Sequence, residues 1–486
     1  MDPTSWFDPH EDKLREECGV FGIFGIDNAA SLTALGLHAL QHRGQEACGI
    51  ATFDGRKFHT ERHLGLVGDN FTGADPSKRL PGYISIGHNR YSTAGQTVLR
   101  NVQPLFAEVG IGGFTLAHNG HITNAYTIRE KLVKDGAIFQ STSDTEAVLH
   151  LVARARAGAF IDRFIDAIRQ VEGGYAFVGI ADNSLVGCRD RLGIRPLIIG
   201  RFGDSYILAS ETCALDMIGA QFVREVEAGE VVVINADGIR SYRAFPKTAS
   251  RPCIFEFVYF ARPDSVVGGK SVYEVRKRMG QRLANETPAE VDVVIPVPDS
   301  GVPAALGFAQ AMGVPFELGI VRNHYVGRTF IQPTQAIRDM GVRLKHSANR
   351  ATIQGKRVLL VDDSIVRGTT STKIVRMIKA AGATEVHFRS ASPPIRFPDH
   401  YGIDMPTAEK LIAANYSLED MTHMLEVDSL GFLSIEGLYW AMGEKRLPGA
   451  PQYTDHCFTG QYPTALVDRD RKLAGTPQLS LLTEVA

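Results

Sequence analysis

VLLVDDSIVRGTTST, residues 358–372, is the stretch from which the architecture of the C-terminal half can be worked out. Its first four residues are apolar and predict a short strand of a parallel sheet, because such strands are buried on both faces. Asp362 and Asp363 follow at the carboxyl end of that strand, the edge where open α/β sheets bind ligands. Beyond the turn, apolar residues at helical spacing predict a helix that ends at Gly382.

The turn between this strand and helix carries groups that suit a phosphorylated sugar. A helix N-terminus offers free backbone N–H groups and the positive end of a dipole to a phosphate. Asp362 and Asp363 suit ribose hydroxyls or a Mg²⁺ that bridges sugar and pyrophosphate oxygens. The aspartate pair alone fits equally well an ordinary strand–helix turn whose carboxylates cap the helix. The residues of the turn are Arg367, Gly368, Thr369, Thr370 and Ser371.

The string VDDSIVRGTT resembles the 5-phosphoribosyl-1-pyrophosphate (PRPP) motif of type I phosphoribosyltransferases. The resemblance implies that Asp362 and Asp363 face the ribose and the metal, and that residues 367–371 hold the 5-phosphate. A second turn, PDSG at residues 298–301, is similar to the pyrophosphate-side loop of that family. It implies that Ser300 contributes to the metal or diphosphate environment; an exposed turn serine is the alternative.

The composition is that of a globular protein with more than one domain. A chain of 486 residues is too long for one core, and its net charge of −2 gives no field that favours nucleic acid or a membrane surface. No apolar run approaches the roughly 18 residues that span a bilayer. The six cysteines include no Cys-x-x-Cys pair, so we expect a reduced, cytoplasmic setting.

The N-terminal half is marked by a glycine-rich apolar run, CGVFGIFG, that begins at Cys18. Taken alone, Cys18 is better explained as a small buried hydrophobe than as a nucleophile. With CGVFGI, four more fragments resemble the glutaminase domain of N-terminal-nucleophile amidotransferases, over roughly residues 18–245. These fragments are HRGQE (42–46), HNRYSTAG (88–95), AHNGHITN (117–124) and STSDTEAV (141–148).

Hydrolysis of a glutamine side chain needs a nucleophile, an oxyanion hole, and anchors for the α-carboxylate and α-ammonium of the substrate. A guanidinium binds a carboxylate through two hydrogen bonds, and a carboxylate attracts an ammonium. The expected set is Cys18 as nucleophile, the Asn119 side chain and Gly120 N–H as oxyanion hole, Arg90 and Thr93 for the carboxylate, and Asp144 for the ammonium.

Each of these residues also has a structural interpretation. Arg90 is equally a surface ion-pair partner, and Asp144 is equally the N-cap of a predicted helix. Asn119-Gly120 is a strong hairpin-turn dipeptide. The five fragments in the right order favour the catalytic interpretation.

The base of the glutaminase reaction is expected to be the α-amine of Cys18 itself. An α-amine has a pKa of about 7.7–8.0, far below that of lysine, so it accepts a thiol proton near neutral pH. This role requires the removal of residues 1–17, an acidic segment without the apolar core of a secretory signal. The family includes members that are made with such a propeptide.

Runs of predicted strands with helices between them indicate two stacked sheets flanked by helices. We therefore expect a two-domain protein of the α/β and α+β classes. Residues 18–250 would form an αββα sandwich of the N-terminal-nucleophile hydrolase kind, and residues 251–467 a parallel-sheet phosphoribosyltransferase domain with C-terminal helices. Residues 253–265 predict a strand between the halves, and residues 468–486 a loose tail.

A basic segment, residues 323–350, has no convincing strand or helix and resembles the flexible catalytic loop of glutamine PRPP amidotransferases. Long loops of this kind often act as lids, and closure would exclude water from PRPP. LEVDSLGFLSIEGL, residues 425–438, is similar to the C-terminal region of that family. In that region the resemblance implies sites for purine nucleotides that act as feedback inhibitors. The resemblance also implies a homo-oligomer, either a dimer or a tetramer.

Some members of the family hold an iron–sulfur cluster on four cysteines. Cys253 and Cys457 match two of the ligand positions, while Asp399 and Thr454 stand at the other two. Threonine is a poor iron ligand, so we expect no iron–sulfur cluster. The metal that we expect is the Mg²⁺ at Asp362 and Asp363.

The combined resemblance implies a transfer of glutamine-derived ammonia to C1 of PRPP, the first step of purine synthesis. The products would be 5-phosphoribosylamine, pyrophosphate and glutamate. One alternative is an amidotransferase with another acceptor, which the intact PRPP motif argues against. Another is a PRPP-sensing regulator with a dead glutaminase, which the presence of Cys18, Asn119 and Gly120 argues against.

Overall fold

The N-terminal half is built on two antiparallel sheets. The computed structural model of the chain describes residues 15–16, 18–71, 75–91, 98–110, 112–322 and 346–469. In chain order the strands of this half are β1 (Arg15–Glu16), β2 (Gly19–Phe24), β3 (Ala47–Phe53), β4 (Phe58–Leu64), β5 (Ile84–Arg90), β6 (Leu105–Val109), β7 (Gly112–Ile122), β8 (Gly173–Ala181), β9 (Ser184–Arg189), β10 (Ile198–Phe202), β11 (Ser205–Ala209), β12 (Gln221–Glu225), β13 (Glu230–Asn235) and β14 (Gly238–Arg243).

Helices cover the outer faces of both sheets. They are α1 (Ala29–Ala39), α2 (Val67–Asn70), α3 (Pro76–Arg79), α4 (Ala125–Lys134), α5 (Thr145–Arg154), α6 (Phe160–Ile168) and α7 (Cys213–Ile218), with 3₁₀ turns at Gln41–Arg43 and Leu99–Asn101. One sheet has the order β12-β10-β11-β2-β5-β3-β4 and the other β14-β13-β9-β8-β7-β6. Val20 and Ile86 of the first sheet share a core with Val178 of the second, so the sheets are stacked face to face. The predicted αββα sandwich is confirmed.

The C-terminal half is built on a parallel sheet. Its strands are β15 (Val266–Val267), β16 (Lys270–Ser271), β17 (Val293–Pro296), β18 (Ile320–Arg322), β19 (His346–Ala348), β20 (Arg357–Asp362), β21 (Glu385–Ser390), β22 (Ile403–Asp404) and β23 (Ser429–Phe432). Its helices are α8 (Val272–Glu286), α9 (Val302–Met312), α10 (Arg350–Ile353), α11 (Thr369–Ala380), α12 (Ile412–Asn415), α13 (Leu418–Met424), α14 (Ile435–Ala441) and α15 (His456–Thr459), with a 3₁₀ turn at Ala408–Lys410.

Strand β20 lies inside the parallel sheet, whose order is β17-β20-β21-β23. Leu359 and Val361 belong to the core on one face of the sheet, and Val358 and Leu360 to the core on the other. This is the two-sided burial that the apolar run predicts. Because the strands are parallel, the loops that follow β17 and β20 lie at the same edge of the sheet.

The junction between the halves differs from its prediction. Residues 253–265 do not form a strand; Glu256–Phe260 forms a π-helix. Phe255, Phe257 and Phe260 are all buried there, so the apolar residues fall on the buried side of a wide helical turn rather than on one side of a strand. The apolar alternation in the sequence is therefore not a strand pattern.

Most of residues 1–17 and of residues 468–486 lies outside the described residues, and so do residues 323–345 of the predicted lid. The last residues of the predicted lid do form regular structure, because β19 and the first residue of α10 lie within it. Of residues 1–17, Arg15 and Glu16 pair antiparallel with Asp404 and Ile403 of β22.

Candidate active site

Cys18 lies directly before β2 in a left-handed backbone conformation, with a φ of 63°. Its side chain is buried, and its Sγ donates to the backbone oxygen of Tyr91 over 3.6 Å. The thiol lines a small cavity, and three predicted site residues line the same cavity. The lining residues are Cys18, Arg90, Tyr91, Gln103, His118, Gly120, Ser143 and Asp144.

Asn119 and Gly120 lie in the middle of β7, opposite Ala176 and Tyr175 of β8, so the hairpin-turn interpretation is wrong. The Asn119 side chain is fully buried, and neither its Nδ2 nor its Oδ1 has a hydrogen-bond partner in the described part of the chain. A buried polar group without a partner costs roughly 1–3 kcal/mol. A ligand oxygen would supply the acceptor that Nδ2 lacks.

Gly120 is required by its backbone and by the space around it. Its φ is 124°, a conformation that other residues rarely adopt. A Cβ at this position would lie 2.1 Å from the backbone oxygen of Gly174. Only glycine therefore fits at this position of the strand, in the lining of the same cavity as the thiol.

Arg90 ends β5 and is buried, so the surface ion-pair interpretation is wrong. Its Nη1 donates to the backbone oxygen of Asn101 over 3.0 Å, which holds the guanidinium at the cavity. Thr93, its expected companion, lies outside the described residues.

Asp144 caps a helix and also lines the cavity, so the helix-cap interpretation holds and does not exclude the expected ammonium site. Its Oδ1 accepts a hydrogen bond from Thr145 N, which caps α5, and its Oδ2 accepts one from Ile122 N at 3.0 Å. The Nδ1 atoms of His118 and His121 each lie 3.6 Å from one of its oxygens. Burial raises the pKa of Asp144, but the two histidines and the backbone donors hold that pKa well below its usual range. An ionised carboxylate in the cavity suits an ammonium group.

His118 lines this cavity together with Gln103 and Ser143, and none of the three is among the residues expected from the sequence. His118 and Gly120 are two residues apart in β7 and therefore lie on the same face of the strand. The two-residue alternation of side chains along a strand is the sequence signal that points to His118.

The second cluster lies at the carboxyl end of β20. Asp363 N donates to Asp362 Oδ1 at 2.9 Å, and Ser364 Oγ donates to Asp363 Oδ1 at 2.6 Å. Gly368, with a φ of 80°, is the N-cap of α11, so neither aspartate occupies the cap position. The helix-cap interpretation of the aspartate pair is therefore wrong. The aspartates, Arg367 and the residues of the first helical turn lie in one strand–helix turn, as predicted.

Ser300 lies in the loop after β17, which contacts the end of β20. Val297 N donates to Val361 O at 2.9 Å, and a Cβ on Gly301 would lie 2.4 Å from that same oxygen. The backbone of this loop is therefore packed tightly against the residue before Asp362. Carboxylate and hydroxyl oxygens at this edge are ligands that fit Mg²⁺.

The residues at the iron–sulfur positions form hydrogen bonds with a neighbouring histidine and with the backbone. Asp399 Oδ1 lies 2.7 Å from His456 Nε2, and Asp399 Oδ2 accepts two backbone N–H groups. Thr454 Oγ1 donates to Arg251 O at 2.6 Å. Burial raises the pKa of Cys253 to about 12, and it also raises that of Cys457. This donor set does not fit a cluster that needs four thiolates.

Comparisons with known proteins match both halves. A family model described as "Glutamine amidotransferase domain" matches residues 88–217, and one described as "Phosphoribosyl transferase domain" matches residues 268–391. The chain is 61% identical over 478 residues to an amidophosphoribosyltransferase of Rhizobium etli, covering 97% of this chain and 96% of that protein. It is 47% identical to the amidophosphoribosyltransferase of Bacillus subtilis, covering 93% and 95%.

The fold also matches solved structures. The glutamine PRPP amidotransferase of B. subtilis, complexed with ADP and GMP, superposes with a TM-score of 0.88 at 46% identity, covering 93% of this chain and 98% of that one. In the part of the chain that the structure describes, no helix is both long enough and apolar enough to cross a bilayer.

Proposed function

Because the chain belongs to the amidophosphoribosyltransferase family, which catalyses the first step of purine biosynthesis, we propose that its two sites divide this reaction between them. The enzyme transfers the ammonia of glutamine to C1 of PRPP and gives 5-phosphoribosylamine, pyrophosphate and glutamate. The N-terminal site releases the ammonia, and the C-terminal site presents the activated sugar.

At the N-terminal site, the Cys18 thiolate attacks the side-chain carbonyl of glutamine. Asn119 Nδ2 and Gly120 N–H stabilise the negative oxygen of the tetrahedral intermediate. Ammonia leaves, and water hydrolyses the thioester to glutamate. Arg90 binds the α-carboxylate, with Thr93 as its companion, and Asp144 binds the α-ammonium.

The proton of the Cys18 thiol goes to the α-amine of the same residue. While residue 17 is attached, that nitrogen belongs to a peptide bond and cannot accept a proton. The mechanism therefore requires the removal of residues 1–17, and mass spectrometry of the active enzyme is expected to find Cys18 as the first residue.

At the C-terminal site, ammonia attacks C1 of PRPP and pyrophosphate leaves with inversion. Asp362 and Asp363 bind the ribose hydroxyls, and residues 367–371 bind the 5-phosphate through the N-terminus of α11. A Mg²⁺ held by these aspartates near Ser300 would neutralise the departing diphosphate. The two sites need a sheltered path between them, because protonated ammonia is not a nucleophile.

The finer properties of the enzyme are part of the same proposal. The solved relative from B. subtilis is complexed with ADP and GMP, which supports purine nucleotides as feedback inhibitors, bound in part by residues 425–438. We propose a cytoplasmic homo-oligomer, dimer or tetramer, without nucleic-acid or membrane partners. The hydrogen-bonded Asp399 and Thr454 support an enzyme without an iron–sulfur cluster.

The observation that carries the proposal is the cavity that brings the Cys18 thiol together with Arg90, Gly120 and Asp144. The test is pyrophosphate release from PRPP with either glutamine or ammonia as the nitrogen donor. Cys18→Ala is expected to abolish the glutamine-dependent rate and to keep the ammonia-dependent rate. Cys188→Ala, at another buried free thiol, is the control and is expected to keep both. Glutamine-dependent turnover by Cys18→Ala would refute the assignment.

A further inference from the structure

Strand β7 loses its neighbour on one edge before it reaches the expected oxyanion residues. Strand β6 pairs with it only over residues 112–116, whereas β8 pairs with the other edge as far as residue 122. On the edge beyond β6, His118 N and Ile122 N donate to side chains instead. Alternate residues of an antiparallel strand direct their backbone groups to the same edge. The N–H of Gly120 therefore points to this edge as well, between His118 and Ile122.

The backbone of His118 is held by two buried side chains. Gln103 Oε1 accepts a hydrogen bond from His118 N at 2.8 Å, and His88 Nε2 donates to His118 O at 3.0 Å. Since a carbonyl oxygen only accepts, Nε2 is the nitrogen of His88 that carries the proton. The carbonyl that His88 holds belongs to the same peptide group as the N–H of Asn119. This bond therefore fixes the peptide plane directly before the expected oxyanion pair.

His88 interrupts an apolar row of β5. Ile84 and Ile86 precede it on the same face of the strand and belong to the core of the sandwich. The imidazole is fully buried, and its Nδ1 has no hydrogen-bond partner among the described residues. A buried acceptor without a partner lowers stability. What the imidazole contributes at this position is the bond from its Nε2 to His118 O.

The same strand carries the expected anchor for the α-carboxylate of glutamine. Arg90 follows His88 by two residues, so the two side chains lie on one face of β5. Arg90 and Gly120 line the same cavity. The bond from His88 thus connects the strand that would bind one end of glutamine with the strand that would bind its side-chain carbonyl. The separation of these strands has to match the length of a single substrate molecule.

We propose that His88 is a positioning residue of the oxyanion hole. Together with Gln103 it takes the place of a neighbouring strand along β7, so that the Asn119 amide and the Gly120 N–H meet the carbonyl oxygen of bound glutamine. The inference rests on the proposed function of the N-terminal site and adds a residue that does not itself touch the substrate. Loss of the bond slows the chemical step and leaves glutamine binding intact, because the substrate anchors stay in place.

The test compares His88→Leu, which removes the N–H donor, with His88→Gln, which keeps one. We expect His88→Leu to lower the glutamine-dependent kcat by about 10- to 100-fold, somewhat less than the loss of a whole oxyanion donor. Its KM for glutamine should stay within about twofold of wild type. His88→Gln should keep kcat within about threefold, because its amide donates the same bond. Ammonia-dependent pyrophosphate release should be unchanged in both variants.

Three results would overturn the proposal. An equal fall of kcat in the two variants would mean that the effect does not depend on the donor. A higher KM for glutamine with unchanged kcat would locate the effect at the substrate anchors rather than at the oxyanion hole. A wild-type kcat in His88→Leu would show that the bond to His118 O has no part in catalysis.

Thr115→Val is the matched control on the same strand. Thr115 is buried, and its Oγ1 donates to Leu105 O at 3.0 Å, in the part of β7 that β6 pairs. Valine keeps the shape of the side chain without the hydroxyl, so the melting temperature should fall while kcat stays at the wild-type value. A fall of kcat as large as that of His88→Leu would show that any lost buried hydrogen bond in β7 suffices, against the proposal.

Gln103→Met carries the test if His88→Leu does not fold. Methionine has a similar length but offers no comparable acceptor to His118 N, so the same fall of kcat at unchanged KM is expected. A wild-type kcat in this variant would contradict the proposal. Failure of the proposed glutamine site is separately visible, because Cys18→Ala would then retain glutamine-dependent turnover.

Discussion

Asn119 shows at the scale of a single residue how stability and catalysis make opposite demands. Its amide is fully buried and has no hydrogen-bond partner among the described residues, whereas the buried amide of Asn101 bonds Thr142 through both Nδ2 and Oδ1 at 2.9 Å. A protein selected for stability alone would fill the Asn119 position with an apolar side chain. The proposed oxyanion role would explain why the amide is present.

Asn119→Leu is therefore expected to lower the glutamine-dependent kcat by about 10²–10³-fold, the usual effect of one lost oxyanion donor. Its melting temperature should be no lower than that of wild type, because the unpartnered amide is gone. Asn101→Leu, measured in parallel, should lose stability, because it leaves Thr142 without its partners. A lower melting temperature in Asn119→Leu together with unchanged kcat would contradict the assignment.

At the scale of elements, the turn from β20 to α11 was predictable because its signals are local. Four apolar residues, two aspartates and a Gly–hydroxyl run each predict a structure without help from distant residues. The π-helix at Glu256–Phe260 was not predictable, because its buried phenylalanines also fit a strand and only packing distinguishes the two. The position of Asn119-Gly120 inside a strand was missed for the same reason, since pairing with β8 overrides the turn propensity of the dipeptide.

Gly368 sets the direction of the α11 N-terminus. With a φ of 80°, it adopts a conformation that penalises a side chain, and a Cβ would lie 2.9 Å from Ile412 Cδ1. We expect Gly368→Ala to raise the KM for PRPP about tenfold, which corresponds to about 1.4 kcal/mol of lost binding. Glutaminase activity without PRPP should be unchanged.

Gly382→Ala is the control for backbone strain at the other end of α11, where φ is 101°. Gly382→Ala should destabilise the domain about as much as Gly368→Ala does, and it should leave the KM for PRPP unaltered. Equal KM values in the two variants would show that α11 does not place the phosphate site.

At the scale of the whole molecule, the two sheets of the sandwich are connected by a polar contact inside their core. His88 of β5 is fully buried, and its Nε2 bonds His118 O of β7 at 3.0 Å. Burial, with the positive charge of Arg90, lowers the pKa of His88 to about 3. The folded protein therefore holds this imidazole neutral in the middle of the sandwich.

Acid is expected to destabilise the sandwich through His88. Between pH 3 and about 6.5, the usual histidine pKa, the unfolded chain binds a proton that the folded chain does not. The free energy of unfolding thus rises with pH across this window, by up to the order of 5 kcal/mol, and levels off above it. The free energy of unfolding, measured with urea at several pH values, should rise less steeply with pH in His88→Gln than in wild type. His38→Gln, at an exposed position, should keep the wild-type pH dependence.

The pairing of Arg15–Glu16 with Ile403–Asp404 has a consequence for biosynthesis. Arg15 and Glu16, in the proposed propeptide ahead of Cys18, reach their place only after more than four hundred residues have left the ribosome. If its excision depends on that place, a nascent or truncated chain keeps its sulfur inactive. Glutamine would then be spared until a complete acceptor domain is present to use the nitrogen.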